Sequence, residues 1–204
     1  MTMGGEKYEK MKQVRDEVIA LTGGLADYRR ENNYHAVLGE GSHDAKIMFI
    51  GEAPGKNEAE QGRPFCGAAG KLLDKLLEGI GILRADVYIT NIVKDRPPSN
   101  RDPLPSEIEL YAPFLDRQIE IIQPKCIATL GRFSMEYIMR KFGLSFELGP
   151  ISKAHGKTYE AEAPWGGTLK IAPQYHPAAA IYNQSLVETL KKDFQIWKQP
   201  KVIG

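Results

Sequence analysis

Short apolar runs alternate with amphipathic segments along most of this chain. Runs with the length and composition of buried strands lie at Ile47 to Ile50, Val87 to Thr90 and Cys126 to Leu130. A fourth run, Leu169 to Ala172, is interpreted as a further parallel strand. Strands that alternate with helices favour a parallel sheet joined by right-handed crossovers. The pattern therefore predicts a doubly wound α/β fold with four main strands.

The segments between these runs place apolar residues at helical spacing. A capping box of Ser106 and Glu109 is predicted to open the helix before the third strand. The polar stretch from Ala26 to Ser42 is interpreted as an irregular connection, and residues 144–170 as a hairpin-like excursion or an edge pairing. No long linker divides the chain, so a single domain over residues 1–204 is predicted. The predicted helices run from Lys7 to Leu21, from Ala68 to Ile80, from Ser106 to Ile122, from Phe133 to Phe142, and through a final segment with Leu186, Leu190, Phe194 and Trp197.

Composition narrows the class of protein without identifying a partner. The 204 residues carry 27 basic and 26 acidic side chains, so any anionic partner has to be met by a local patch. The two cysteines, Cys66 and Cys126, are too few for a disulfide framework and are interpreted as core thiols. No apolar run approaches the roughly 18 residues of a membrane span, and the N-terminus lacks a signal-peptide pattern. A soluble, cytoplasmic protein without membrane contact is expected.

The polar residues that carry chemistry follow the strands. Glu52 and Glu58 lie in the loop after the first strand, Asn91 ends the second, and His176 follows the last. Parallel strands bring these loops to one edge of the sheet, where ligands bind in open α/β folds. The first loop lacks the lysine and hydroxyl residue of a P-loop. An amide, an imidazole and a carboxylate, with the ring of Phe65, suit the binding and polarisation of a planar heterocycle.

The segment from Lys94 to Pro105 reads KDRPPSNRDPLP. Its four prolines exclude a helix or a central strand, because proline lacks the amide donor. Its three basic residues leave two interpretations open. The segment is either a plain connector or a contact to a DNA backbone.

Five sequence blocks together resemble the uracil-DNA glycosylase superfamily, and most closely its thermostable family four. The blocks are GEAPG at 51–55, GRPFCGAAGKLLD at 62–74, VYITNIVKDRPPSNRDP at 87–103, PFLDRQIEIIQPKCIATLG at 113–131 and HPAAA at 176–180. The resemblance implies a three-layer α/β/α sandwich around a mainly parallel four-stranded sheet. It also implies a monofunctional, monomeric enzyme that flips uracil out of double- or single-stranded DNA and hydrolyses its N-glycosidic bond. Whether other deaminated bases are accepted is left open.

The resemblance assigns roles to single residues. Phe65 matches the ring that stacks on the flipped base, and Asn91 the amide that reads its edge. His176 matches the donor to uracil O2. Glu58 is favoured as the carboxylate that activates water, while Glu52 is either a second catalytic carboxylate or a loop anchor. Ala53 belongs to the substrate-binding motif, which in the family usually carries glycine at this position.

The same resemblance implies that DNA is held by loops around the pocket. The segment after the His-Pro motif corresponds to the family's wedge, and here Ile181 or Tyr182 is available for that role; an inward-packing helix start is the alternative. Lys94 is counted with the basic residues of the proline-rich segment. The residues predicted to contact DNA are Pro54, Gly55, Lys56, Arg96, Arg101, Ile181 and Tyr182.

One departure from the family concerns a cofactor. Family four holds a [4Fe–4S] cluster on four cysteines, and the corresponding positions fall here around Leu21 and Gly24, at Asp95 and at Tyr111. No cluster or other cofactor is therefore expected, with Tyr111 predicted to fill the space. A glycosylase-like protein that only binds nucleic acid, and a hydrolase of free nucleosides, remain the alternative functions.

Overall fold

The structure, a computed structural model, describes residues 3–198 and is built on a six-stranded sheet in the order β1-β3-β2-β4-β6-β5. The four central strands are parallel. The outer strands β1 and β5 pair antiparallel with β3 and β6. The strands are β1 (Glu40–Gly41), β2 (Ile47–Gly51), β3 (Tyr88–Asn91), β4 (Cys126–Leu130), β5 (Tyr159–Glu162) and β6 (Thr168–Gln174).

The sheet was predicted to have four strands, and the prediction missed the two edge strands β1 and β5. The four parallel strands were found because each is a buried apolar run. Strand β1 has only two residues, too few to produce an alternating pattern. Strand β5 lies in the stretch predicted as a hairpin-like excursion, and its antiparallel pairing with β6 confirms that prediction.

Helices cover both faces of the sheet. No helix among residues 3–198 has the length and apolar character needed to cross a bilayer. The helices are α1 (Met3–Ala20), α2 (Gly24–Glu31), α3 (Lys56–Gln61), α4 (Ala68–Gly79), α5 (Pro105–Ile122), α6 (Arg132–Lys141), α7 (Ile151–Ala154), α8 (Pro177–Ala180) and α9 (Gln184–Asp193).

Two details of the helices differ from prediction. Residues 26–42 are not all irregular, because α2 begins at Gly24 and its mainly polar sequence hides the short helix. The capping box of Ser106 and Glu109 was also wrong. Pro105 occupies the first helical position of α5, which moves the cap to Leu104, and the carboxylate of Glu107 accepts the Leu104 backbone N–H at 2.8 Å.

The strand side chains alternate between two cores. Met48 and Ile50 pack on one face with residues of α5 and α6, and Ile47 and Phe49 pack on the other with residues of α4 and α9. The Phe49 ring stacks on Phe194 with centroids 5.8 Å apart. This three-layer arrangement holds the carboxyl ends of the parallel strands at one edge of the sheet.

Candidate active site

A cavity of about 320 Å³ opens at the carboxyl ends of the parallel strands. The three strand-end loops that carry the predicted chemistry all reach it. Four lining residues were not foreseen, because Ala69 and Ala178 have no polar group and Pro97 and Asn100 lie in a segment interpreted as either a connector or a DNA contact. The lining residues are Glu52, Ala53, Pro54, Gly55, Glu58, Phe65, Ala69, Asn91, Pro97, Asn100, Arg101, His176 and Ala178.

Asn91 brings a buried amide to the floor of this cavity. It ends β3 opposite Gly51, and its Oδ1 accepts no hydrogen bond from the residues that the structure describes. A Cβ at position 51 would lie 2.3 Å from that oxygen and 2.7 Å from Cζ of Phe65, so only glycine fits. An unsatisfied buried acceptor costs about 1–3 kcal/mol. The Asn91 oxygen is thus available to a ligand that donates an N–H.

Phe65 forms the wall of the cavity in a strained turn. Its φ of +48° lies in the left-handed region, and its ring stacks on His176 with centroids 5.5 Å apart. The Glu58 carboxylate fixes the turn, because Oε1 accepts the backbone N–H groups of Cys66 at 3.0 Å and Gly67 at 2.8 Å. Glu58 therefore holds the position of the Phe65 ring.

His176 is presented as a neutral hydrogen-bond donor. It caps α8, and its Nδ1 accepts the backbone N–H of Ala178 at 3.1 Å, which leaves the ring proton on Nε2. Burial lowers the pKa of His176 to about 4, and the charge of Glu58 only partly opposes this shift. The imidazole is consequently uncharged near pH 7.

Glu52 differs from Glu58 in its surroundings. Burial raises the pKa of Glu52 to about 7, the negative charge of Asp102 adds to the rise, and Arg132 opposes it. Among residues 3–198, no side chain or backbone group donates a hydrogen bond to its carboxylate. Glu52 is therefore a carboxylate whose charge state changes near neutral pH and whose oxygens are free for a ligand or water.

The basic residues of the proline-rich segment are held by the protein to different degrees. Counting Lys94 as a DNA contact was wrong, since its side chain is fully buried under β3. Arg96 donates to Asn100 at 2.7 Å and to the Tyr34 hydroxyl at 2.8 Å. Arg101 lines the cavity and forms two hydrogen bonds with the Glu107 carboxylate.

Of the other residues predicted to contact DNA, Pro54 and Gly55 line the cavity, whereas Lys56, Ile181 and Tyr182 lie outside its lining. Lys56 is exposed at the start of α3, with Glu60 at 3.7 Å. Ile181 and Tyr182 follow α8, where Ile181 is 39% exposed and Tyr182 is 96% exposed. Tyr182 lies four positions after Ala178, a residue of the cavity lining.

The positions that the family resemblance links to an iron–sulfur cluster do not fit one here. Asp95 and Tyr111 are buried, and the Tyr111 hydroxyl donates to Asp95 Oδ2 at 2.5 Å. Arg29 from α2 donates to both Asp95 oxygens at 3.1 and 3.2 Å. Val18, Leu25 and Tyr111 share a small core. The predicted role of Tyr111 as a space-filling residue agrees with this packing, although its hydroxyl also joins an ion pair.

Comparisons with known proteins agree with the geometry. The profile of the family described as "Uracil DNA glycosylase superfamily" matches residues 38–199. A type-4 uracil-DNA glycosylase of Sulfurisphaera tokodaii is 48% identical over 191 residues, which cover 92% of this chain and 83% of that protein. The type-4 enzyme of Archaeoglobus fulgidus is 48% identical over 168 residues, or 82% of each chain. A type-5 uracil-DNA glycosylase of Pyrobaculum aerophilum is 28% identical over 167 residues, 74% of this chain and 70% of that protein.

Proposed function

Because this chain belongs to the uracil-DNA glycosylase superfamily, we propose that it is a monofunctional DNA glycosylase that removes uracil from DNA. One observation carries the proposal: the cavity holds a buried, unpaired amide oxygen beside a neutral imidazole donor and an aromatic wall. A uracil base that is flipped out of the duplex offers the matching groups. The reaction leaves an abasic site.

Asn91 is the proposed source of base selectivity. Its free Oδ1 accepts from uracil N3–H, and its NH₂ group donates to O4. Cytosine presents the opposite arrangement at these two positions, so it would leave both amide groups unpaired. Stacking on the Phe65 ring adds about 1–3 kcal/mol of sequence-tolerant affinity.

His176 is proposed to stabilise the departing base. As the bond between C1′ and N1 breaks, uracil leaves with the electron pair, and negative charge grows on O2. The Nε2–H of the neutral imidazole donates a hydrogen bond to that oxygen, and His176 does not have to change its protonation state. A preorganised donor of this kind contributes about 2.7–4 kcal/mol to the rate.

The two carboxylates have separate proposed tasks. Glu52, with a pKa of about 7 and no hydrogen-bond donor among the described residues, accepts the proton of the water whose oxygen attacks C1′. Glu58 holds the Phe65 turn through two backbone N–H groups. The sequence analysis favoured Glu58 for water activation. We assign that role to Glu52 instead, because the Glu58 carboxylate already accepts two backbone hydrogen bonds.

DNA is proposed to lie across the cavity mouth. The exposed ring of Tyr182, with Ile181 beside it, would separate neighbouring base steps after the uracil is flipped. Lys56 and the backbone of Pro54 and Gly55 would contact phosphates, which gives an affinity that falls with salt. One copy of the chain supplies all these groups, so we propose a monomeric enzyme.

The test is single-turnover release of uracil from labelled oligonucleotides with U opposite G, U opposite A and U in a single strand. Abasic product that requires both Asn91 and His176, shown with Asn91→Ala and His176→Ala, supports the proposal. DNA binding without abasic product at enzyme excess would instead identify a protein that only binds nucleic acid. Release of uracil from deoxyuridine alone would identify a nucleoside hydrolase.

A further inference from the structure

Lys94 is a buried lysine whose ammonium lies directly behind the base-reading residue. The side chain is fully buried, and Nζ donates to the Asn91 backbone oxygen at 2.6 Å. It also donates to Thr90 Oγ1 at 2.8 Å and to Gln118 Oε1 at 2.6 Å. Among residues 3–198, no carboxylate forms a salt bridge or hydrogen bond with this group.

The three partners of Nζ match the three donors of an ammonium. The Thr90 hydroxyl directs its own proton to the Leu38 carbonyl at 2.6 Å, so it accepts from Lys94. The Gln118 amide is oriented by Leu38 as well, because Nε2 donates to the same carbonyl at 2.9 Å and leaves Oε1 facing Lys94. A neutral amine has two hydrogens for these three acceptors, and an ammonium has three. Burial lowers the pKa of Lys94 well below its usual range, and the three acceptors around Nζ oppose this shift because they bind the charged form.

A purely structural role does not explain a lysine ammonium buried behind Asn91. A charge buried without an ion pair is costly, and an apolar side chain of similar length would fill the volume. Residue 90 points to the face of the sheet that carries α5, while residue 91 points to the face that carries the cavity. The ammonium therefore contacts the carbonyl of Asn91 from the side opposite the base.

We infer that Lys94 is a positioning residue that fixes the Asn91 peptide and stabilises the uracil anion formed as the glycosidic bond breaks. The inference rests on the proposed function, in which the base leaves with the electron pair of the C1′–N1 bond. The neutral His176 and the uncharged Asn91 provide hydrogen bonds to this anion but no positive charge. Lys94 supplies that charge from behind the sheet.

The first test compares Lys94→Met with the wild type. At an effective dielectric constant near 20, loss of this unit charge should lower the single-turnover rate roughly twentyfold. The ionisation of N1 in bound uracil, followed by ultraviolet difference spectra of the product complex, should move up by about 1.3 pH units. Lys75→Met, which removes an exposed charge from α4, is the matched control and should change neither quantity.

Two further measurements keep the inference falsifiable if Lys94→Met does not fold. The triple variant Lys94→Met, Thr90→Val, Gln118→Leu removes the acceptors with the cation and should show the same loss and the same shift. Nitrogen NMR of the wild type should show a protonated Lys94 at pH 7, and a neutral amine would overturn the inference. Normal rate and unchanged uracil ionisation in a folded variant would overturn it while leaving the proposed function intact. A wild type that neither binds nor releases uracil would overturn both.

Discussion

Polar groups on the floor of the cavity and polar groups on its rim differ in whether they have partners within the protein. On the floor, Asn91 leaves an oxygen unpaired, Glu52 has a raised pKa and His176 is held neutral. On the rim, defined as residues 95–105 of the proline-rich segment, Asp95 pairs with Arg29 and Arg101 with Glu107. Perturbed and unpaired groups concentrate where a ligand is expected. The difference indicates that the floor serves chemistry and the rim serves stability.

The largest expected effect is on the floor. Glu52→Gln should lower the single-turnover rate by about 10²–10⁴-fold, the usual contribution of a positioned general base, with little change in stability. In the wild type, the rate should rise with pH through about 7, because the raised pKa of Glu52 keeps the carboxyl protonated below that value. His176 remains neutral throughout this range. A pH–rate profile in which Glu52→Gln keeps the same acidic limb would refute the assignment.

On the rim, breaking the buried ion pair should act on stability. Arg29→Met leaves the Asp95 carboxylate buried without its cation, and we expect the free energy of unfolding to fall by about 3–5 kcal/mol. Urea denaturation measures the change. Arg30→Met, the neighbouring exposed residue, is the control and should cost at most about 1 kcal/mol. A folded Arg29→Met variant with severely reduced uracil release would contradict the division between floor and rim.

Glu58 combines the two cases, because it lines the floor of the cavity and its carboxylate accepts hydrogen bonds from the protein backbone. Glu58→Gln keeps one oxygen that can accept from the N–H groups of Cys66 and Gly67 but removes the negative charge of the side chain. The weaker hydrogen bonds should destabilise the turn that holds Phe65 by about 1.5–3 kcal/mol. The expected result is a rate reduced less than in Glu52→Gln, with weaker binding of the base. The two variants are compared by rate and by uracil affinity at one pH. A larger loss in Glu58→Gln would reverse the two roles.

The smallest effect concerns backbone strain on the rim. Ser99 has φ +54° and ψ 21°, a left-handed conformation that favours glycine. Ser99→Gly should therefore raise the free energy of unfolding by about 0.5 kcal/mol, after the greater freedom of glycine in the unfolded chain is included. Ser106→Gly, inside α5, should lower it by about 0.5–1 kcal/mol. Thermal unfolding of both variants makes the comparison.

Sequence reasoning worked where local pattern and burial coincide. Strand β4 coincides with the predicted run Cys126 to Leu130, because a strand buried on both faces is apolar throughout. Asn91 and His176 were assigned to one sheet edge because parallel topology fixes where strands end.

It failed where a residue's environment depends on distant partners. Lys94 was expected at the surface from its charge, but Gln118, 24 positions away, provides one of its buried acceptors. The short helix α2 was missed because its sequence is mainly polar. The contrast between Glu52 and Glu58 also depends on backbone N–H groups whose positions no sequence pattern reveals.

The antiparallel strands at the margins of the sheet have a consequence for how the protein behaves at high concentration. An open sheet edge offers unpaired backbone groups to another chain and is a common starting point for aggregation. Here β1 limits one edge to two residues, and β5 alternates partly buried positions with exposed Glu160 and Glu162 on the other. The negative charges on β5 disfavour pairing with a second copy. The parallel strands that support the cavity are thereby kept away from strand exchange between molecules.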